Sequence, residues 1–239
     1  MRNLDLEATE YQPDAATSFE NNLILKWYPE RVLKSTGPIG SLLELGIGHG
    51  YTAELFNKNC DRHVIVDGAP SVIEQFRDAH THLEIEIFES YFENFEMDEK
   101  FDVIVMGFVL EHVDDPVLVL NRFREHLKSD GKLFVAVPNG ESLNRRIGFE
   151  MGLIDSLSSL NKNDLSLGHK RNYSLDSIVA DIEVAGYRVI SQEGIYLKPL
   201  PLAVLQSLEN SAANFDAMLQ VGIQFPELSV GILIEAVVA

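Results

Sequence analysis

The run Glu44-Leu45-Gly46-Ile47-Gly48-His49-Gly50 is the first place where this chain could do chemistry. Glycine at alternate positions lets a backbone turn sharply and approach a ligand without Cβ clashes. Roughly 20 residues after Gly46, a separation shared by nucleotide-binding sites, Asp67 ends an apolar stretch, and its carboxylate can accept both hydroxyls of a ribose. The spacing is G-x-G-x-G, not the G-x-G-x-x-G that brings a helix close beneath a pyrophosphate. Glu44, just before the glycines, would repel a pyrophosphate and suits a ligand that carries an ammonium group. Together these features favour S-adenosylmethionine over NAD. The plain alternative is a tight strand-to-helix turn with Asp67 on the surface.

A second group lies further along. His112 follows an apolar run and has the pKa range of a general base at neutral pH; it could equally cap the Asp114–Pro116 turn. Glu111 beside it reads as a helix N-terminal acid. His169, with Arg171 and Tyr173, falls in an irregular stretch that would cover an acceptor, or simply dock as a loop. Arg145 and Arg146 read as a solvated helix face. Tyr11, Phe19 and Trp27 form an aromatic amino-terminal stretch that could close over a cofactor. No metal site is expected, since His49, His63, His80 and His82 are dispersed without ligand spacing.

The elements that must position these residues alternate in type. Ser41–Leu45, the glycine turn, a helix over Tyr51–Asn59 and His63–Asp67 make a strand–helix–strand unit, the signature of a parallel sheet. Ser71–Ala79 reads as a helix, Leu83–Phe88 as a strand, and Phe101–Met106 as a central strand apolar on both faces. Pro116–Leu127 is an amphipathic helix stopped by Ser129-Asp130-Gly131, and Lys132–Val137 a further strand. Leu175–Ala185 is a helix with Ser174 as N-cap and Gly186 beyond its end. Arg188–Leu197 and Leu228–Val238 are strands, with Leu202–Gln224 mostly helical between them. The expected fold is α/β: a seven-stranded, mostly parallel Rossmann-like sheet with helices on both faces and an antiparallel edge strand. One domain spans 1–239, with a helical lid over 1–40, a cofactor-binding core over 41–139, and substrate-side insertions at 140–172 and 198–226.

Composition narrows the function. The 239 residues are 46% hydrophobic and 23% charged, the balance of a globular domain. A net charge of −18 weighs against a nucleic-acid partner, because phosphate binding relies on Lys and Arg. No apolar run approaches the roughly 18 residues of a membrane span, and the acidic amino terminus is unlike a signal peptide. Cys60 is the single cysteine, so no intrachain disulfide forms. A cytoplasmic protein acting on a small molecule, with a homodimer left open, is the expectation.

The sequence resembles the class I S-adenosylmethionine-dependent methyltransferases. LLELGIGHG is similar to their first motif, VIVDGAP to the acidic second, and FDVIVMGFVLEHVDDPVLVLNRFREHLKSDGKLFVAVPN to the fourth and fifth. GHKRNYS and AGYRV are weaker matches, and the long middle stretch resembles bacterial small-molecule O- and N-methyltransferases. The resemblance implies that Glu44 orients the methionine ammonium, and that Gly46, Ile47 and Gly48 pass beneath methionine and ribose. It implies that Asp67 holds the ribose diol, that Gly68, Ser90 and Tyr91 lie near adenine, and that Gly107, Phe108 and Val109 line the methionine end. Gly68 stands where the family commonly has a bulky apolar residue, and Ser90 where it has a carboxylate; Tyr91 or Phe92 could supply the stacking surface. The implied reaction is methyl transfer to a hydroxyl or amine of a metabolite, such as a sugar or a secondary-metabolism intermediate. S-adenosylhomocysteine is the product, His112 and His169 are the catalytic candidates, and Tyr11, Arg171 and Tyr173 would touch the acceptor. The rival readings are a cofactor-binding scaffold without turnover, an NAD-dependent oxidoreductase, and a protein methyltransferase. No N-P-P-Y-like quartet marks base methylation of DNA, and Cys60 lacks the Pro-Cys context of cytosine C5 chemistry.

Overall fold

The structure is a computed structural model that describes residues 15–239; Tyr11 lies outside the described residues. In chain order the elements are α1 (Ala15–Thr36), β1 (Ile39–Leu45), α2 (Tyr51–Asn57), β2 (Cys60–Asp67), α3 (Pro70–Ala79), β3 (Glu86–Glu89), β4 (Phe101–Gly107) and α4 (Pro116–Arg124). They continue as β5 (Leu127–Pro138), α5 (Leu143–Glu150), α6 (Lys162–Ser166), α7 (Leu175–Val184), β6 (Tyr187–Ile195), α8 (Leu202–Ser207), α9 (Ser211–Gly222) and β7 (Gly231–Val238). The strands form one seven-stranded sheet in the order β3-β2-β1-β4-β5-β7-β6. Neighbours from β3 through to β5 pair in parallel, and β7 pairs antiparallel with both β5 and β6. The reversed strand is therefore one place in from the edge, with β6 outside it.

Alternate side chains of the central strands feed two different layers. Leu43, Leu45, Ile104, Met106 and Val135 meet α4 and α7 through Leu120, Phe123, Ile178 and Ile182. Leu42, Val103, Val105 and Phe134 face the other way, against Tyr28 and Val32 of α1 and Phe215 and Leu219 of α9. Because Ile24, Tyr28 and Val32 recur every fourth residue, they make one buried stripe of α1. Arg31 adds a two-pronged bond to Glu193 of β6, Nε and Nη2 each 2.7 Å from a carboxylate oxygen. Ser35 donates to Glu235 of β7 at 2.8 Å. The stretch read from the sequence as a lid thus contributes a core helix.

Several boundaries differ from the sequence expectation, among them β2, which starts at Cys60, and β3, which covers Glu86–Glu89. α4 stops at Arg124 and buried Leu127 opens β5, where the register jumps from Phe101↔Leu127 to Val103↔Lys132. The Ser129-Asp130-Gly131 turn is therefore an excursion within β5. Helix 202–224 breaks at Asn210, whose φ of 57° no continuous helix accommodates. β7 begins at Gly231, later than Leu228. By contrast α7 starts where expected, with Ser174 accepting from the Ser177 amide in a capping box and Gly186 following at φ 84°. Among the described residues no helix is long and apolar enough to cross a membrane.

Candidate functional site

β1 and β4 lie side by side, and the sheet grows outward from them in opposite directions, to β2 and to β5. The loops leaving their carboxyl ends diverge, opening the crevice in which ligands bind to such sheets. After β1, Gly46, Gly48 and Gly50 have φ of 80°, 52° and 74°, the left-handed region that glycine enters without steric cost. Gly46 donates its N–H to the Val66 carbonyl at 2.8 Å. Val109, from the β4 loop, brings Cγ2 to 3.4 Å of where a Gly46 Cβ would stand, so the two loops touch at the crevice floor.

Asp67 ends β2 and is buried, with both carboxylate oxygens held by the main chain. Ile47 donates to Oδ2 and Ala69 to Oδ1, each at 2.8 Å. Burial raises its pKa, while the amides of Ile47, Ala69 and Gly68 pull the other way. An ionised carboxylate has about four lone-pair sites, so two occupied sites leave capacity for a diol. The Ser90 N–H donates to the Asp67 carbonyl at 3.0 Å, placing Ser90 and Tyr91 on the same rim. The Ser90 hydroxyl donates to the Tyr91 carbonyl at 3.0 Å. Gly46, Ile47, Gly48, Asp67, Gly68, Ser90 and Tyr91 are thus gathered along one lip.

Glu44 sits beneath that lip and is 2% exposed. Its Oε1 accepts from the Thr52 hydroxyl, and its Oε2 is 3.1 Å from His63 Nε2. The Tyr28 hydroxyl reaches the same group through Thr52. Thr52 and Tyr28 escaped the sequence reading, which named His63 only as lacking metal-ligand spacing. The one signal available was Thr52 in the first turn of a helix that begins right after the glycines. That His63 shares the face of Glu44 follows only from the register Leu42↔His63.

The other lip starts at Gly107, where any Cβ would run into the Tyr28 hydroxyl. Phe108 follows with φ 57°, a left-handed conformation that costs a non-glycine residue of order 1–3 kcal/mol. Its N–H donates to Ala136 at 2.8 Å, and its ring meets Tyr28 edge-on at 5.8 Å. This bend turns the chain off the sheet and delivers Glu111 and His112. Glu111 is 1% exposed, its Oε2 has no hydrogen-bond partner, and burial pushes its carboxyl up to about 8.

His112 and His169 lie edge-on, ring centroids 4.8 Å apart at 85°. One Glu111 carboxylate oxygen and one ring nitrogen from each histidine fall within 4.8 Å of one another. The segment carrying His169 is fixed from both ends of that residue. Its own N–H donates to Asp164 at 2.9 Å, and Lys170 donates to the Glu111 carbonyl at 2.8 Å. Arg171 Nη2 donates to the carbonyls of Val113 and Asp114 at 2.8 and 3.0 Å. Tyr173 is buried in the core, its hydroxyl donating to Asp181 at 3.3 Å. The structure therefore brings His112 and His169 together, uses Arg171 as a dock, and turns Tyr173 inward. Arg145 is no solvated face either: it donates to the carbonyls of Gly140, Leu157 and Ser159. The trio of Glu111, His112 and His169 was invisible to spacing arguments, which weighed only His49, His63, His80 and His82 as metal ligands.

A methyltransferase-domain family model matches residues 18–192, which include both lips and the His169 segment. No curated protein matches the sequence. Among solved structures, the N-methyltransferase NodS from Bradyrhizobium japonicum WM9, in complex with S-adenosyl-L-homocysteine, superimposes with a TM-score of 0.64 at 13% identity, covering 99% of each chain. A Burkholderia thailandensis 1,6-didemethyltoxoflavin-N1-methyltransferase gives 0.64 at 13% identity, covering 97% of this chain and 85% of that one. An S-adenosylmethionine-dependent methyltransferase from Clostridium acetobutylicum gives 0.60 at 11% identity, covering 98% and 95%. With the family model spanning most of the chain and the sheet order above, the chain belongs to the methyltransferase-domain family and is a Rossmann-like, S-adenosylmethionine-dependent methyltransferase.

Proposed function

We propose that the protein transfers the methyl group of S-adenosylmethionine to a hydroxyl or amine of a small-molecule metabolite, such as a sugar or a secondary-metabolism intermediate. The observation that carries this reading is the meeting of two lips across one crevice. One is the glycine turn tied to Asp67, and the other is the Glu111–His112–His169 group. On the first lip Asp67 accepts the ribose hydroxyls, Gly46, Ile47 and Gly48 run beneath the nucleoside, and Gly68, Ser90 and Tyr91 border adenine. Glu44 acts through its buried cluster, setting a negative field for the methionine ammonium. Gly107, Phe108 and Val109 would line the methionine end, on the same loop that carries His112.

The transfer is an in-line displacement. The acceptor lone pair forms the new bond to the methyl carbon as the C–S bond breaks, and the sulfur leaves as neutral S-adenosylhomocysteine. Alignment alone contributes up to about 7–11 kcal/mol in favourable cases. A hydroxyl acceptor also needs its proton removed, and we assign that role to His112, whose ring meets His169 edge-on. The small-molecule N-methyltransferases among the similar folds support a compact metabolite as acceptor.

Calorimetric titration with S-adenosylhomocysteine, with NAD as control, tests the first half of this reading. Micromolar binding of the former alone is expected. Binding of NAD alone would return the chain to the oxidoreductase reading. Product formation across hydroxyl and amine metabolites tests the second half. His112→Ala is expected to lower kcat while leaving S-adenosylhomocysteine affinity intact; unchanged turnover removes His112 as base.

A further inference from the structure

We propose that Glu111, His112 and His169 form a binding site for a divalent transition-metal ion, zinc first among them, which holds the acceptor oxygen against the cofactor. The proposal deepens the methyltransferase reading and rests on it for the acceptor's role. The metal site itself stands on geometry.

Two imidazoles and a carboxylate are the donor set of an open zinc site, which keeps a position for a water or substrate. With bonds of 2.0–2.2 Å, tetrahedral ligand atoms stand about 3.4 Å from one another. The three donor atoms lie within 4.8 Å already, so small side-chain rotations would close the site. Two buried atoms at the cluster also lack partners: Glu111 Oε2 and His169 Nδ1. Buried polar atoms are rarely left without a hydrogen bond, and each exception asks for an explanation. A cation would supply one for the carboxylate. The nearby Arg171 does not, because its guanidinium donates to the Val113 and Asp114 carbonyls.

The surroundings resemble those of a held ligand. Asp164 Oδ1 is 3.8 Å from His169 Nδ1, beyond hydrogen-bond range, and a small ring rotation would let it accept the N–H of a metal-bound imidazole. Asp164 is itself fixed, accepting from the Asn161 N–H at 2.8 Å. The Lys170 N–H pins the Glu111 carbonyl at 2.8 Å, coupling the loop that carries two ligands to the segment that carries the third. His112 and His169 are only partly buried, so the site keeps an open side for an acceptor. There an acceptor hydroxyl on the ion would have its pKa lowered and would lose its proton to solvent. Its oxygen would attack the methyl carbon as the C–S bond breaks. With the ion bound, the histidines act as ligands and no longer as bases.

The test uses the whole chain. Protein purified without chelator is expected to carry close to one zinc per chain by elemental analysis. After chelation it should take up Zn2+ at that stoichiometry by calorimetry, and Co2+ should give visible d–d absorption bands. Glu111→Gln, an isostere, and His112→Ala and His169→Ala should each weaken Zn2+ binding at least about tenfold with S-adenosylhomocysteine affinity unchanged. Asp67→Ala should do the reverse. Zn2+ affinity equal in the parent and the three variants, or absent from the parent, overturns the site. A parent that binds S-adenosylhomocysteine but no metal sinks the metal assignment alone. One that binds zinc but no S-adenosylhomocysteine sinks the methyl-transfer reading alone.

Discussion

On the β1–β2 side of the crevice, Glu44 and Asp67 are buried acids whose four carboxylate oxygens all have partners. On the β4 side, Glu111 is as deeply buried and leaves Oε2 with none. The first arrangement builds a fixed surface: the carboxylates serve the protein's own amides and side chains, and the glycine turn is held before any ligand arrives. Such preorganisation suits a cofactor whose shape does not vary. The second arrangement carries the cost of an unsatisfied group, which a ligand or a proton must relieve. A saturated lip and an unsaturated one divide the labour between a constant donor and a particular acceptor.

Asp67→Ala should break the saturated side hardest. It removes the proposed ribose acceptor and leaves the Ile47 and Ala69 amides without theirs. Hydrogen bonds to charged groups contribute about 1.5–3 kcal/mol each, so affinity for S-adenosylhomocysteine should fall at least about 100-fold by calorimetry. The parent should show a matching pH dependence. Burial raises the Asp67 pKa, so acidification should weaken cofactor binding at a higher pH than an ordinary aspartate would set. The stability of the unliganded chain should move the opposite way. A folded-state pKa above the unfolded one makes the folded chain bind the proton more readily, so its stability rises as pH falls through that pKa.

Replacing each buried acid by leucine sharpens the comparison. Glu44→Leu would strand the Thr52 hydroxyl and His63 Nε2, at about 1–3 kcal/mol for each orphaned group. Glu111→Leu strands no partner of Oε2. With its carboxyl pushed up to about 8, most of the population is already neutral at pH 7. In metal-free protein that change should cost less than about 1.5 kcal/mol, the range of volume-conserving swaps. Urea unfolding of both variants decides it; equal losses would erase the distinction between the lips.

Gly107→Ala probes the seam between them. Its Cβ would crowd the Tyr28 hydroxyl, and overpacking costs roughly 1–3 kcal/mol. Adding Tyr28→Phe should recover part of that loss by removing the oxygen. A double-mutant cycle in thermal unfolding measures the coupling directly, and additive losses would show that the two positions do not communicate.

The same two lips explain what was legible in the chain. The cofactor side is written locally: strand, alternate glycines, helix and an acid ending the next strand occupy one continuous stretch, so Gly46 and Asp67 could be named from spacing. The partner of Glu44 could not. His63 meets it through the β1–β2 register, and a sequence states strands without their registers. The acceptor side is written in two pieces, since the chain runs through α4, β5, α5 and α6 between His112 and His169. Hydrogen bonds from Lys170 and Arg171 back to the 111–114 loop close that gap. Larger features follow the same rule. The buried, two-faced character of β4 is plain in its composition, while the placement of β7 between β5 and β6 depends on pairing choices made far apart in the chain. The α4 boundary moved because Leu127 gains more as a paired, buried strand residue opposite Phe101 than as the end of a helix.

Arg171→Lys is the smallest perturbation that separates the lips. The guanidinium spans two carbonyls, Val113 and Asp114, from one nitrogen, and a lysine ammonium on a flexible stem holds that geometry less firmly. Few contacts are lost, so the stability change should stay within about 1 kcal/mol, the scale of one hydrogen bond. S-adenosylhomocysteine affinity should not move, because no contact of Arg171 reaches the glycine turn or Asp67. The acceptor side should loosen instead. His169 stands two residues before Arg171 in the chain, and a displacement of order 1 Å at a reacting group can cost about 100-fold in rate. A partial shift should therefore lower kcat/KM for the acceptor several-fold at unchanged cofactor affinity. Loss of cofactor affinity in this variant would mean that the two lips are one mechanical unit, and that the division between a fixed donor side and an adaptable acceptor side is wrong.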